Sequence, residues 1–191
     1  MRDTLLKGTL TPLVGKQDHV QGSSTAVATL VEYGDYQCPF CGNTHPIIKK
    51  LQKHFGDQLR FVFRSFPQVR VHAYAQRAAE AAEAAGSQGK FWEMHDYLYE
   101  HQEALDVENL ARAAGALGLD RVKFNREVAE RIYADRVQRD IQSGIDSEVG
   151  GTPTIFINGV RNDDDEDFET LRTKIDEAIL LGKASKRKRR S

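Results

Sequence analysis

The sequence predicts an α/β fold whose sheet is interrupted by a large all-helical insertion. Three observations indicate this: a strand–helix–strand pattern in the first third of the chain, about eighty residues of helical pattern after it, and a short apolar strand beyond residue 150. A chain of 191 residues is long enough for one well-packed domain with an insert and short for two large domains. We therefore expect a sheet domain of residues 1–70 and 150–182, an inserted helical domain of residues 71–149, and a disordered basic tail of residues 183–191.

The first unit follows a polar, turn-rich segment that holds at most one short edge strand. Residues Ala26 to Tyr33 form a nearly continuous apolar run, which is typical of a strand buried on both faces. From Pro39 to Phe55 the apolar residues recur at helical spacing, and Gly56 is placed to cap that helix. Leu59 to Phe66 has a period of two, which predicts a second strand.

The helical stretch and the return to the sheet come next. Five segments with helical periodicity are separated mainly by glycines: Tyr74–Ala85, Phe91–His101, Val107–Leu117, Val122–Ile132 and Ala134–Val149. Thr154–Ile157 then predicts a short strand, with Asn158-Gly159 as the turn of a hairpin. A last amphipathic helix is predicted from Phe168 to Leu181.

Composition and charge exclude several classes of protein. With 40% hydrophobic and 29% charged residues, the chain is typical of a globular protein and not of a disordered or fibrous one. The formal net charge of −1 argues against nucleic acid as a partner, because nucleic-acid binding favours a clearly basic face. The sequence has no apolar run long enough to cross a bilayer and no signal-peptide pattern. We therefore expect a cytoplasmic protein without a membrane partner, or a periplasmic or extracytoplasmic one if a leader peptide was removed.

The chemistry of the chain is concentrated in its two cysteines, Cys38 and Cys41, which lie where the first predicted strand gives way to a helix. Unpaired backbone N–H groups and the helix dipole stabilise a thiolate at a helix N-terminus, so Cys38 is the predicted nucleophile. Cys41 lies one turn further along and can resolve a mixed disulfide. Pro39 fits this geometry because proline is tolerated at the first helical position.

A metal site and an inert thiol pair are the alternatives. Structural zinc takes four ligands, and this sequence has no second Cys-x-x-Cys, so His45 and His54 would have to complete the site. An inert pair is more typical of a helix interior than of a junction with Pro39 between the sulfurs. We therefore predict a redox pair with no metal and no other cofactor.

Two further positions are candidates for the site. Glu32 lies in the middle of a strand that is predicted to be buried, where a carboxylate has a raised pKa and can exchange a proton with Cys41. The alternative is that Glu32 faces solvent or a lysine at the sheet edge. Thr152-Pro153 precedes the last apolar strand, where a cis bond would leave the Thr152 backbone free to pair with a peptide, although trans proline is commoner.

The segments Y-G-D-Y-Q-C-P-F-C and G-T-P-T-I-F-I-N-G, in this order and separation, resemble the DsbA-like branch of the thioredoxin superfamily over roughly residues 20–181. The segment W-E-M-H-D-Y-L is similar to the helical domain of that family. The chain is also similar to thioredoxin-like modules that stand alone or are fused to sodium/proton antiporters. The resemblance implies a thioredoxin fold with an inserted helical domain.

The resemblance also implies the roles of the site residues. Cys38 would attack and Cys41 resolve, Glu32 would be the buried acid, and Thr152-Pro153 would form the cis-proline loop beside the sulfurs. Substrate contacts are then expected at Thr152 and Pro153 and, between the cysteines, at Pro39 and Phe40. The strongly oxidising members carry Pro-His between the cysteines, whereas this chain carries Pro-Phe, so the direction of exchange is left open.

These observations predict a thiol-disulfide oxidoreductase that acts on protein or peptide thiols and is recycled by an unidentified redox partner. A glutathione-dependent transferase or isomerase on the same fold is one alternative, and a peptide-binding holdase is another. Two charged runs complete the sequence. The five acids from Asp163 to Asp167 are expected to form a solvated turn and a negatively charged helix start, and the basic run from Lys186 to Arg190 a solvated tail.

Overall fold

The computed structural model describes residues 8–188. Its centre is a five-stranded sheet in the order β1-β3-β2-β4-β5. The strands are β1 (His19–Gln21), β2 (Ala28–Gly34), β3 (Leu59–Ser65), β4 (Thr154–Ile157) and β5 (Val160–Arg161). Strands β2 and β3 are parallel, and the other neighbouring pairs are antiparallel. The predicted mixed α/β architecture is therefore confirmed, with one short edge strand before β2.

Seven α-helices accompany the sheet in the described part of the chain. They are α1 (Pro39–Phe55), α2 (Ala75–Gly86), α3 (Phe91–Glu100), α4 (Val107–Ala116), α5 (Arg121–Ala129), α6 (Ala134–Asp146) and α7 (Phe168–Lys188). Helix α1 connects the parallel strands β2 and β3, as a βαβ unit requires. Helices α2 to α6 all lie between β3 and β4, at the chain position where the sequence predicts an insertion. Within residues 8–188 no helix is both long and apolar enough to cross a bilayer.

The two faces of the sheet pack against different partners because successive residues of a strand point to opposite faces. On one face, Leu30 and Ile155 belong to the main core, which also contains Cys41 of α1 and Leu171 of α7. On the other face, Val31 belongs to a smaller cluster with the remaining apolar residues Leu10, Tyr33, Val62, Phe66, Val149 and Phe156. Strand β2 is therefore covered on both sides, which explains its nearly continuous apolar sequence.

The alanine-rich helix α2 is the centre of the helical insertion. Its buried side chains include Ala78, Ala81 and Ala85, and such small residues allow neighbouring helices to approach closely. Polar contacts add to this packing: Arg131 Nη2 lies 2.7 Å from Glu80 Oε1. A further contact joins the insertion to the sheet, since the backbone N–H of Ser65 donates to a carboxylate oxygen of α6 at 3.0 Å.

Helix α7 is longer than the sequence predicts. The apolar pattern ends at Leu181 and disorder is expected from residue 183, but the helix continues to Lys188. The prediction of disorder is therefore wrong as far as Lys188, and residues 189–191 lie outside the described part of the chain. Alanine, lysine and arginine have high helix propensity, and cations at a helix C-terminus interact favourably with its dipole.

Gly34 provides a test of the packing at the end of β2. A Cβ atom at this position would lie 2.4 Å from Phe63 Cε2 and 2.6 Å from the Tyr99 hydroxyl oxygen. We expect Gly34→Ala to lower the free energy of unfolding by about 1–3 kcal/mol through overpacking. Gly150→Ala is the control, because a Cβ there meets open space. Equal stability of the two variants in urea denaturation would contradict this account of the packing.

Candidate active site

Cys38 occupies the N-cap position of α1. Its φ of −74° and ψ of 121° are extended, Pro39 follows at the start of the helix, and the first intrahelical bond runs from Gly42 N to Cys38 O at 3.1 Å. The sequence predicts this placement from the junction between strand and helix and from the proline. The sulfur of Cys38 therefore lies where the backbone N–H groups of the first helical turn have no intrahelical acceptor.

The loop before β4 brings a second predicted segment to the same sulfur. The Thr152–Pro153 peptide bond is cis, and both residues are half-buried. The Cys38 sulfur lies 3.3 Å from the carbonyl oxygen of Thr152, to which it can donate only when it is protonated, and the two residues are 114 positions apart in sequence. Cys38 and the Thr152-Pro153 loop, which the resemblance places in one site, are thus adjacent.

The two sulfurs have different surroundings, and their pKa values differ accordingly. A hydrogen bond from the Cys41 thiol, reinforced by the backbone N–H groups of Cys41 and Phe40, lowers the pKa of Cys38 to about 5 against the effect of burial. Burial raises the pKa of Cys41 well above its usual range, and the hydrogen bond to Cys38 and the charge of Glu32 add to that rise. Near neutral pH the site therefore holds one thiolate and one thiol.

Glu32 is buried in the middle of β2, with 1% of its surface exposed. The alternative in which this residue faces solvent or a surface lysine is therefore excluded. Among the described residues, its Oε1 atom has no hydrogen-bond partner. Burial raises the pKa of Glu32 well above its usual value, and the charges of Glu166 and Cys38 raise it further. Such a carboxyl group can hold a proton at neutral pH and exchange it with a neighbouring thiol.

Asp35 shapes the turn before Cys38, although no local pattern in the sequence predicts this role. Its carboxylate accepts from the backbone N–H of Gln37 and of Gln68, each at 2.7 Å, and lies 2.7 Å from His72 Nδ1. The backbone N–H of the same residue points at the second cysteine sulfur, 3.5 Å away. Aspartate is common in turns between a strand and a helix, so the sequence explains only the local role of Asp35. The fold shows that Asp35 also binds residues 68–72 to the turn before Cys38.

The helical insertion contributes Gln102 to the active-site turn. Its Nε2 group donates to the carbonyl oxygens of Tyr36 at 2.9 Å and of Cys38 at 2.8 Å. Gly42 makes room for this side chain, because a Cβ atom there would lie 2.1 Å from Gln102 Oε1. The sequence contains no local signal for this contact, which joins residues more than sixty positions apart.

Glu166 is the second acid near the sulfurs. The sequence predicts a solvated run from Asp163 to Asp167, but Glu166 is half-buried and its Oε2 atom accepts from the Thr44 hydroxyl of α1 at 3.3 Å. Burial raises the pKa of Glu166 to about 7, and the charge of Cys38 adds to this effect. The prediction that the whole run is solvated is therefore wrong for Glu166. Asp167 does behave as the predicted helix start, because its carboxylate accepts from the backbone N–H groups of Glu169 and Thr170 in the first turn of α7.

A group of three side chains near the site has the residue types of a metal centre. One potential ligand atom from each of His45, His95 and Asp96 lies within 4.8 Å of the other two. These groups also have protein partners: Lys49 Nζ donates to Asp96 at 2.6 Å, and the Tyr36 hydroxyl is 3.1 Å from His95 Nδ1. The cluster packs in the aromatic core behind Cys41, where hydrogen bonds and ring contacts account for its geometry.

The surface beside Cys38 is apolar. Pro39 is exposed, and the exposed fractions of Phe40, Val71 and Tyr74 are 71%, 75% and 47%. Gln37 holds Tyr74 in this position, because the Gln37 Oε1 atom accepts from the Tyr74 backbone N–H at 2.8 Å. We call Pro39, Phe40, Val71 and Tyr74 the apolar rim; the first two start α1, and the last two lie in the segment that Asp35 and Gln37 bind to the turn before Cys38. A rim of this kind is typical of a surface that binds another chain.

The family model described as thioredoxin matches residues 15–177. The chain belongs to the thioredoxin superfamily and is DsbA-like. This membership confirms the resemblance that the two motifs carry and the predicted fold class. The sheet order, the site at the start of α1 and the helices between β3 and β4 are the features of this chain that correspond to it.

Curated relatives of this DsbA-like chain are named as antiporters. It is 43% identical over 170 residues to Na(+)/H(+) antiporter NhaA 1 of Salinispora arenicola, a match that covers 89% of this chain and 26% of that protein. It is 37% identical to Na(+)/H(+) antiporter NhaA of Herminiimonas arsenicoxydans, covering 90% of this chain and 27% of that one. The chain thus spans about a quarter of the length of these relatives.

Solved structures with the same fold cover nearly the whole chain. Oxidised BdbD from Bacillus subtilis superposes with a TM-score of 0.81 at 24% identity, over 92% of this chain and 98% of that one. Wolbachia pipientis alpha-DsbA1 superposes with a TM-score of 0.80 at 18% identity, over 91% of this chain and 96% of that one. A thioredoxin-like oxidoreductase from Silicibacter pomeroyi superposes with a TM-score of 0.73 at 25% identity, over 86% of this chain and 93% of that one. These likenesses establish the DsbA-like architecture.

The ionisation of Cys38 can be measured directly. We expect the thiolate absorbance of the reduced protein to titrate with a midpoint near pH 5. Because the folded pKa is lower than that of a free thiol, about 8.5, the thiolate stabilises the reduced fold most at alkaline pH. This contribution is lost as the pH falls through about 5. Cys41→Ala removes the thiol donor and should raise the midpoint by about one unit or more; an unchanged midpoint would contradict the assigned cause.

Glu32 should reduce the stability of the protein. Replacing this buried acid with leucine is expected to raise the free energy of unfolding of the reduced protein by about 1–2 kcal/mol at pH 8. The folded pKa is raised above 4.5, so the unfolded state releases its proton first and the gain should grow as the pH rises from 4.5. Urea denaturation at several pH values measures this. Glu103→Leu, at an exposed position, is the control. Its free energy of unfolding is expected to lie within about 0.5 kcal/mol of that of the unchanged protein.

Proposed function

We propose that this DsbA-like chain is a thiol-disulfide oxidoreductase that exchanges disulfides with protein or peptide thiols through Cys38 and Cys41. The observation that carries the proposal is the difference between the two sulfurs, which lie one helical turn apart. Cys38 is at the helix N-terminus with a pKa lowered to about 5, and Cys41 is buried with a raised pKa. An attacking thiolate and a protonated resolving thiol are what a two-step exchange requires.

The exchange begins at Cys38. Its thiolate attacks one sulfur of the substrate disulfide, a new S–S bond forms, and the other substrate sulfur leaves as a thiolate. Cys41 then gives its proton to the Glu32 carboxylate and attacks the Cys38 sulfur, and the second substrate sulfur leaves. The substrate ends reduced and the Cys38–Cys41 pair oxidised, so no cofactor is needed within the cycle. The reverse sequence oxidises a substrate dithiol.

Substrate binding is proposed at the Thr152-Pro153 loop and the apolar rim. The Thr152 carbonyl lies 3.3 Å from the attacking sulfur, so a peptide paired with this backbone would place its own cysteine beside Cys38. Phe40 and the rest of the apolar rim would contact the side chains that flank that cysteine. This arrangement favours an extended or partly unfolded protein segment as the substrate.

The direction of exchange depends on the partner that recycles the pair. Phe40 supplies no positive charge between the sulfurs, where the strongly oxidising members have histidine. The pKa of Cys38 is nevertheless low because of hydrogen bonds, and a stabilised thiolate favours the reduced form of the pair. Titration of the pair against glutathione measures the balance between these effects.

Single-cysteine variants test the proposal. Cys38→Ser should reduce insulin-disulfide reduction to the uncatalysed rate, because Cys41 is buried and remains protonated. Cys41→Ser should still attack but should accumulate a mixed disulfide with its substrate, which non-reducing electrophoresis and mass spectrometry detect. Circular dichroism of both variants shows whether the fold is retained. Undiminished turnover by the folded Cys38→Ser protein would rule out the proposed mechanism.

A further inference from the structure

Gln102 lies in the segment that follows α3, and the core holds the backbone of this segment on both sides. Leu98, in the last turn of α3, and Leu105 are each at most 1% exposed. Between them, the backbone N–H groups of His101 and Ala104 donate to Leu98 O at 3.4 Å and to His101 O at 2.9 Å. The segment is therefore fixed to the helical insertion, and the Gln102 side chain extends from a rigid base.

The amide group of Gln102 uses both of its hydrogens at the active-site turn. Its Nε2 atom lies 2.9 Å from Tyr36 O and 2.8 Å from Cys38 O, and a carbonyl oxygen can only accept. The Cys38 carbonyl also accepts from Gly42 N at 3.1 Å, so the same oxygen belongs to the first turn of α1. Gln102 therefore joins the insertion both to the turn and to the start of the helix.

Tyr36 is held by the insertion at its side chain as well. Its hydroxyl oxygen lies 3.1 Å from His95 Nδ1 of α3, and its ring centroid is 4.9 Å from that of Tyr99. The whole residue is 1% exposed. Because a close-packed interior transmits displacements, the insertion sets the position of the residue that precedes the attacking cysteine by two positions.

We propose that Gln102 is a positioning residue for the reaction, through which the helical insertion keeps the Cys38 sulfur in the geometry of a helix N-cap. This inference rests on the proposed thiol-disulfide exchange. Gln102 acts through the backbone of Cys38 and not on the sulfur. The insertion, and not the sheet domain alone, then determines how stable the Cys38 thiolate is.

The thiolate depends on this geometry in two ways. The Cys41 thiol and the backbone N–H groups of Phe40 and Cys41 donate to the Cys38 sulfur while Cys38 stays extended at the N-cap, with φ −74° and ψ 121°. In addition, the Cys38 carbonyl oxygen lies in the same residue as the thiolate, and a donor on that oxygen offsets the repulsion between the two. Loss of the Gln102 amide weakens both effects, so the thiolate should become less stable.

The experiment measures the thiolate absorbance of Cys38 against pH and the redox equilibrium of the cysteine pair with glutathione. Gln102→Ala should raise the midpoint of the thiolate titration by about half a pH unit or more. At pH 7 the reduced form then loses part of its stabilisation. The equilibrium should therefore shift about threefold toward the Cys38–Cys41 disulfide.

Gln88→Ala is the matched control. Gln88 also bonds to the backbone, since its side chain donates to Asp120 O at 3.3 Å and accepts from Asp120 N at 2.8 Å. These contacts lie within the insertion and involve no residue of the active-site turn. The control variant should therefore leave the titration midpoint and the redox equilibrium unchanged, even where it lowers the stability of the fold.

Gly42 offers a second variant, which displaces the amide group while Gln102 is retained. For a Cβ atom at Gly42, the three nearest heavy atoms are Gln102 Oε1 at 2.1 Å, Cδ at 2.8 Å and Nε2 at 3.2 Å. Gly42→Ala should therefore raise the midpoint as Gln102→Ala does, although alanine is the better helix former. In the double variant this clash is gone, so Gly42→Ala should add no further shift.

Circular dichroism shows whether each variant is folded. An unchanged midpoint in folded Gln102→Ala would overturn the proposed role, and so would shifts of the two single variants that add in the double variant. An equal shift in Gln88→Ala would also overturn it, because any weakening of the insertion would then have the same effect. If the unchanged protein forms no mixed disulfide with glutathione at Cys38, the proposed exchange fails, whereas the thiolate titration still tests Gln102.

Discussion

The hydrogen bond from the Cys41 thiol to the Cys38 sulfur is the interaction on which the site depends. It makes the two chemically identical side chains unequal, because it stabilises the thiolate of Cys38 and the protonated form of Cys41. The bond requires Cys41 to be buried one turn inside α1 while Cys38 remains at its N-terminus. Helix α1 must therefore start at Pro39, and the strand before it must end at a fixed distance from that point.

The turn before Cys38 is held from several sides. Asp35 binds it to residues 68–72, and Gln102 from the helical insertion donates hydrogen bonds to the carbonyl oxygens of Tyr36 and Cys38. These bonds leave the backbone N–H groups of the first helical turn free to face the sulfur. The insertion is thus part of the active-site support and also contributes His95 and Tyr99 to the aromatic core behind the cysteines.

The site concentrates negative charge in a partly apolar environment. Glu32 is buried without a full set of partners, and Glu166 lies close enough for its charge to affect Glu32. Such groups reduce the stability of the folded protein, and natural proteins commonly retain them where function requires them. The surrounding core, which includes the fully buried Leu30, Leu51 and Ile155, offsets this cost with apolar burial.

The sequence by itself determined the elements of the fold and singled out Cys38 and Cys41 as the candidate redox pair. Alternation over Leu59 to Phe66, helical spacing from Pro39 to Phe55 and the glycines between the later helices are local patterns, and the structure has strands and helices at those positions within a few residues. The position of Cys38 at the helix start is equally local, because it follows from Pro39 and the preceding apolar run. The resemblance then supplied the superfamily, which the two motifs identify together.

Only the tertiary structure decided which distant residues surround that pair. Glu166 lies in a run of acids that is typical of a solvated turn, and no local pattern distinguishes it from Asp165. Its contact with Thr44 spans 122 positions, and that of Gln102 with Cys38 spans 64. Local periodicity reports which face of an element is apolar, whereas the pKa of a side chain depends on the charges and the burial that the completed fold brings to it.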